Sequence, residues 1–553
     1  MELASNNNRK NIIVGLLLEL ALFCCFLVCG FQFRGQQNGR IIYQLLFVFV
    51  LCRFFFCFIP RFSFHITIVA LAASCLRETI LGYSQIFSLS SFHRNHILCG
   101  SFNNPGPYGG WLTICVCVLV AYLTICYRKN RNELLPKVLY YLIGLICLAA
   151  IMIIPSTQSR AALLALGCSM SFLFWGVLKQ RKQLSAFIKR YGIIVCGLVL
   201  LMGVAAYFYK KPSADGRMLM NRINVLTILN NTQTVSEYKS FGGKYGDTQS
   251  KYFEKQIKEK GKRDLDWTVI NKQERMVADC PEFAFNEYLQ VGVDLGLFYL
   301  FLFLIIIIGV SVISFKNGSI WYYGIIAFAV FALFSYPLHL LKFQILFPVL
   351  LAAGLSSINN DLKKKLVFVE FLLIIPVIIF GIRPKMTVHR ERKEYEKQWA
   401  QIYYYYQVEE YDEVVESCAP LFEKMRENQE FLFFYGQSLN KIGKYEESDS
   451  ILKVGTLISS DPMFWNVMGN NSLALGRYRE AEERYKHAFY MVPNRLYPLN
   501  LLAKLYHAEG DTIRFLEMSD MVESFIPKIE SVNTERLRSE IRELKSNYIS
   551  SFE

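Results

Sequence analysis

Apolar residues gather in eleven runs, at about 11–31, 41–60, 63–82, 108–127, 137–155, 161–178, 191–209, 288–314, 320–341, 343–358 and 366–382. About 20 largely apolar residues suffice for a helix to cross the hydrocarbon core, so each run reads as a span. Two tracts interrupt the pattern, a polar segment over 210–285 and everything after about 382. The pattern predicts an all-α chain: a polytopic bundle of about 11 transmembrane helices over 1–382, with a large loop at 210–285, and a second domain over 383–553. The first run carries Glu19 and no small-x-small cleavage site, so it reads as a retained anchor and not a signal peptide.

Charge then orients the bundle. With the N-terminus in the cytoplasm, the loops after even-numbered spans carry Arg128, Lys129, Arg131, Lys137, Lys179, Arg181, Lys182, Lys189, Arg190, Lys316 and Lys363 to Lys365. The short outside loops hold only Arg34, Arg40, Arg94, Arg160 and Lys342. Lys and Arg accumulate in short cytoplasmic loops, so the 210–285 segment and the C-terminal region are both expected outside.

The C-terminal region repeats itself at 33 to 34 residues, in Gly436 and Gly469, in Gly443, Gly476 and Gly510, and in Tyr411, Tyr445 and Tyr478. That period resembles tetratricopeptide repeats. The fullest copy has Trp465, Met468, Gly469, Gly476, Tyr478, Ala481, Tyr485, Ala488 and Pro493. Three to four such repeats would form an α-solenoid, which presents a concave face to a protein partner and carries no chemistry.

Composition agrees with a membrane protein, at 53% hydrophobic and 19% charged residues with a net charge of +14. The basic excess belongs to 1–382, with 37 Lys and Arg against 18 Asp and Glu, whereas 383–553 has 23 against 28. Basicity that follows topology gives no reason to expect nucleic acid. Most of the 15 cysteines lie inside apolar runs, where a thiol is a small hydrophobe. Cys99, Cys280 and Cys418 fall outside them, and a Cys99–Cys280 bridge is one reading.

No nucleotide loop, nucleophile elbow or metal-spaced His/Cys cluster occurs, and no cofactor is expected; His93 and His96 in an outside loop read better as solvated than as metal ligands. Ionisable residues instead collect at the expected outer mouth of the bundle: Arg77 and Glu78, Arg160, Arg217, Asp294, His339 and Lys342. Charged groups near a bilayer are costly unless paired or solvated, and are functional candidates for that reason. Arginine presents a fixed planar fork of donors that fits phosphate oxygens. An arginine-lined pocket at headgroup depth would suit a lipid-linked phosphate or pyrophosphate.

Five segments in order carry a resemblance: Gly100 to Gly110 (GSFNNPGPYGG), Ser156 to Ala162 (STQSRAA), Asp215-Gly-Arg217, Ala284 to Gly296 (AFNEYLQVGVDLG) and Phe334 to Pro337 (FSYP). Together they resemble the O-antigen ligase and O-antigen polymerase superfamily, which includes protein O-oligosaccharyltransferases. The resemblance implies a metal-independent glycosyltransferase of the bacterial inner membrane. It would move a glycan from undecaprenyl pyrophosphate to the hydroxyl of a lipid or protein acceptor on the periplasmic side. Arg160 and Arg217 would hold the pyrophosphate, with Arg77 and Lys342 in support. Family ligases place a His-Asn pair where this chain has Phe285-Asn286. Asn286 can orient a hydroxyl but cannot take its proton, leaving Glu287, Asp294 or His339 as bases, or the arginines alone to drive a dissociative step. Within the loop, Phe241 to Gly246 (FGGKYG) reads as a turn or a flap, and Lys255 to Arg263 as a solvated helix face. A transporter or flippase and a non-catalytic envelope scaffold are the competing readings.

Overall fold

The structure, a computed structural model, describes residues 15–28 apart from 18 and 25, 37–89, 96–126, 137–180, 211–230, 239–261, 264–356, 361–381 and 388–550. Among the described residues the regular structure is helical and there is no strand. In chain order the helices are α1 (Gly15–Val28), α2 (Gln37–Phe58), α3 (Pro60–Ile86), α4 (Pro105–Ala121), α5 (Lys137–Ile153), α6 (Arg160–Gln180), α7 (Lys211–Asn230), α8 (Phe241–Lys260) and α9 (Lys272–Val277). There follow α10 (Glu287–Leu295), α11 (Leu297–Lys316), α12 (Trp321–Ala332), α13 (Leu341–Leu355), α14 (Asp361–Gly381), α15 (Val388–Gln407) and α16 (Tyr411–Cys418). The last are α17 (Gln429–Lys441), α18 (Tyr445–Ile458), α19 (Met463–Ala474), α20 (Tyr478–Met491), α21 (Tyr497–Glu509), α22 (Thr512–Ser524) and α23 (Val532–Ser550).

Two compact units result: Met1–Ala206 with Phe285–Met386, and Tyr207–Ala284 with Thr387–Glu553. The expected division at 382/383 assigned the 210–285 segment to the membrane part; it clusters instead with the C-terminal helices.

Among the described residues of the first unit, six helices are long and apolar enough to cross a membrane: Ile41–Phe58, Pro60–Ile86, Pro105–Ile125, Lys137–Thr157, Arg160–Lys179 and Leu297–Lys316. This is consistent with a multi-pass membrane protein. The 191–209 run lies outside the described residues. Helix α4 is apolar around its whole circumference and buried along nearly all its length, the mark of a central helix. It is ringed by α3, α5, α6 and α12. The outward faces stay apolar, with Leu145 and Met152 on α5 and Phe298, Phe301, Ile305 and Ile308 on α11 all exposed. So much exposed apolar surface calls for a nonaqueous surround.

Two expected spans are broken. The run at 288–314 is split by Gly296, whose φ of +100° ends α10 and redirects the chain into α11. The run at 320–341 gives only the 12-residue α12, after which a 3-10 turn, Pro337–His339, makes a hairpin into α13. Inside the unit, Arg53 of α2 and Glu19 of α1 form a fully buried two-point ion pair at 2.6 and 2.9 Å, and Arg53 also donates to the Ala352 carbonyl at 3.3 Å. Glu370 of α14 is buried too, and neither carboxylate oxygen has a hydrogen-bond partner among the described residues.

In the second unit, α17/α18, α19/α20 and α21/α22 are consecutive packed helix pairs. Their first helices begin at 429, 463 and 497, and Gly443, Gly476 and Gly510 take positive φ at the three tight turns. Gly436 and Gly469 admit Leu452 and Tyr485 of the partner helices, whose atoms would lie 2.4 and 2.3 Å from an added Cβ. The expected turn or flap at 241–246 is the start of α8. Its glycines face protein backbone, since a Cβ at Gly242 or Gly243 would sit 2.4 Å from the Ile458 or Leu457 carbonyl oxygen. Ser240 just before it donates from its amide to the Leu457 carbonyl (2.9 Å) and from its hydroxyl to the Ile458 carbonyl (2.9 Å). The positive start of α8 thus meets the negative end of α18. Lys255 and Lys258 lie on the exposed side, paired with Glu259 and Glu254, as expected of a solvated face.

Candidate functional site

The site in the first unit is built on two buried carboxylates. Glu78 sits on α3 where Gly82, one turn on, leaves room for the Tyr108 ring. Its Oε1 accepts from Arg77 Nη1 (2.9 Å), Ser101 Oγ (2.7 Å) and Lys342 Nζ (2.6 Å), and its Oε2 accepts from the Ser101 amide (3.0 Å). The loop carrying Ser101 is clamped to the same helix, because Gln85 accepts from the amides of Cys99 (3.0 Å) and Gly100 (2.7 Å) and donates to the Gly100 carbonyl (2.8 Å). Gly100 has φ +56° and packs against Tyr108 and Glu78, so a side chain there is excluded twice over. Asn104 then caps α4 by accepting from the Gly106 amide (2.8 Å). Lys342 lies 4.4 Å from the Phe102 ring centroid, and its ammonium also bonds Ser101 Oγ. Arg77 is mostly exposed, so one carboxylate anchors two cations and leaves a net positive rim.

The second carboxylate holds the other end of the same hairpin. Glu287 is buried, its Oε2 accepts from the Leu338 amide (2.9 Å), and its Oε1 is 3.7 Å from His339 Nδ1. Segment 337–342 therefore runs from Glu287 to Glu78. On α10, Gln290 donates to Asp294 Oδ2 at 2.8 Å. Glu287, Gln290, Asp294 and His339 form the polar part of a cavity of about 100 Å³ whose remaining lining is apolar, including Phe26, Ile42, Tyr299 and Phe347.

Asn286 caps the helix that follows it. Its Oδ1 accepts from the amides of Tyr288 (3.1 Å) and Leu289 (3.2 Å), so the oxygen is committed to capping α10. Phe285, at φ +49°, places its ring edge-on to Tyr336 at 5.1 Å, fixing the chain to the hairpin.

Arg160 opens α6. Gln158 (φ +52°) turns the chain, and Ser159 accepts from the Leu163 amide through its carbonyl (3.1 Å) and from the Ala162 amide through its hydroxyl (3.3 Å). A Cβ on Gly109 would meet Thr157 Oγ1 at 2.7 Å, while its neighbour Tyr108 donates to the Glu78 carbonyl at 2.9 Å. The start of α4 thus separates the Arg160 turn from Glu78 and sets both at one end of the unit. Arg217 lies on α7, in the second unit. Cys99, Cys280 and Cys418 are free thiols, so the Cys99–Cys280 bridge is absent. His93 lies outside the described residues, and among those described no His/Cys/Asp/Glu group could hold a metal ion.

Sequence reasoning singled out Arg77, Lys342, Glu287 and His339 without their connections, and missed Ser101, Gln85 and Gln290. The signal for Ser101 was present in the GSFNNPGPYGG segment, as a hydroxyl beside a glycine that needs positive φ. No family model matches the chain, and no curated protein matches it.

Proposed function

We propose that the protein is an inner-membrane glycosyltransferase that moves a glycan from an undecaprenyl-pyrophosphate carrier to an acceptor hydroxyl at the periplasmic face. In this reading about 11 spans form the membrane domain, and the C-terminal helix pairs are tetratricopeptide repeats that recruit a protein partner. What supports it most is the hairpin 337–342, which joins a cationic rim (Arg77, Lys342) to a buried Glu287–His339 pair at the end of the unit where Arg160 begins α6. The rim supplies positive charge to neutralise a departing pyrophosphate, which is the electrostatic help such a displacement needs. Glu287 and His339, 3.7 Å apart, supply the candidate base in place of the histidine that Phe285 displaces. Arg217 belongs to the reading by resemblance alone.

The test is transfer from purified lipid-linked glycan in proteoliposomes. Arg160→Ala, Arg217→Ala and Glu287→Gln should each lower turnover at least about 100-fold, the scale of losing one charge-stabilising or proton-transferring group, with the protein still monodisperse in detergent. Wild-type rates in all three variants would remove the assignment. The break at Gly296 beside Asp294 favours one other reading, a transporter, since discontinuous helices carry substrate sites in that class. Glycan movement without any glycosidic bond formed would select it.

A further inference from the structure

Helix α7 has its polarity reversed. A helix on a water-soluble domain turns its apolar stripe to the core. The packed face of α7 instead includes Asp215, Asn224 and Thr227 beside Leu219 and Ile223. Asn224 is fully buried, with neither amide atom bonded among the described residues. The outward face presents Met218, Val225 and Leu229, which are 63%, 43% and 69% exposed. These positions, i, i+7 and i+11, form one stripe along the 20-residue helix. Arg222 occupies the remaining i+4 place, and its guanidinium is drawn to Tyr252 (3.0 Å) and Glu274, so its head leaves the stripe.

Chain continuity says what covers that stripe. The apolar run 191–209 ends one residue before Lys210 and Lys211, and Lys211 begins α7. If that run crosses the bilayer, the start of α7 is fixed at headgroup level, where the two lysines suit anionic lipid. We propose that α7 lies in the membrane interface, with Met218, Val225 and Leu229 in the headgroup/acyl boundary, as amphipathic interfacial helices do. Arg217, one residue from the stripe, is then held on its flank at headgroup depth, where a lipid-linked pyrophosphate lies. The proposal rests on reading 191–209 as a span, and does not require catalysis.

The test uses the full-length protein in nanodiscs of phosphatidylethanolamine and phosphatidylglycerol, with nitroxides on Met218→Cys, Val225→Cys, Leu229→Cys, Ser213→Cys and Leu200→Cys, read against labelled wild type. Oxygen-to-nickel accessibility ratios several-fold higher at 218, 225 and 229 than at 213 are expected. Nickel-dominated exposure at those three positions would overturn the proposal in favour of solvent. Low accessibility to both reagents there would overturn it in favour of a protein partner or a second copy. The Leu200 label reports separately: water exposure there with lipid exposure on the stripe refutes the span and keeps the interfacial helix, and the converse does the opposite.

Discussion

The two units place polar groups by opposite rules. In the helix-pair unit, the decisive residues recur in sequence: glycines at the turns, small residues where helices touch, and exposed ion pairs such as Lys255–Glu259 one helical turn apart. In the membrane unit they are distant in sequence and buried, as in Arg53–Glu19 and Lys342–Glu78, the latter 264 positions apart. Water tolerates a misplaced charge at the surface of the first kind of unit. In the interior of the second an unpaired charge is costly, so an ionic contact such as Arg53–Glu19 has a large effect when broken.

The sharpest way to break the comparison is therefore Arg53→Leu. Removing one partner leaves Glu19 buried and uncompensated, a change that costs about 3–5 kcal/mol where it has been measured in protein interiors. The expected readout is a large fall in thermal stability in detergent. Pairing it with Glu19→Gln should recover most of the loss, since the cost lies in the orphaned charge and not in the missing bond. A single substitution as stable as wild type would show that the pair is solvated.

A smaller and local effect is expected from Gly243→Ala in the second unit. Alanine favours a helix over glycine by up to about 1 kcal/mol, but its Cβ would lie 2.4 Å from the Leu457 carbonyl oxygen, and backbone cannot swing aside. Overpacking of this kind costs about 1–3 kcal/mol, so a net loss is expected. Hydrogen exchange should speed up in 241–260 while 463–509 stays protected; uniform change across both would mean that α8 is part of the repeat core.

This contrast also explains what could be read in advance. Repetition at 33 to 34 residues is a short-range property, so the helix pairs and their turns were legible from Gly443, Gly476 and Gly510 alone. Apolar length likewise pointed to the six helices that are long and apolar enough to cross a membrane among the described residues. It could not reveal that Gly296 breaks one, because a glycine in an apolar run has the same hydropathy whether its φ is negative or +100°. Nor could it show that FGGKYG begins a helix: three glycines suggest a turn until the backbone of 456–460 is known to lie against them. The site was legible as residue types and not as connections, since Glu78 chooses Lys342 only once α3 and the 337–342 hairpin are in place.

The smallest effect concerns a titratable group on the second unit's α20, where α8 packs against it. His487 on α20 is that group: its ring lies tilted against Trp465 at 4.2 Å between centroids, and its Nδ1 meets Ser250 Oγ of α8 at 3.2 Å. Burial holds its imidazole below the ordinary value of 6.5, and Asp247, 4.0 Å from Nε2, only partly opposes this. Because the folded state binds its proton less readily than the unfolded chain, the stability His487 confers is complete above about pH 6.5 and declines as the pH falls towards the lower folded value. Melting temperature between pH 7.5 and 5.5 should fall more for wild type than for His487→Gln, with exchange in 241–260 rising first. Equal slopes would place His487 with the solvated charges of its unit, while a steeper wild-type slope shows that the helix-pair unit buries a titratable group where another segment docks on it.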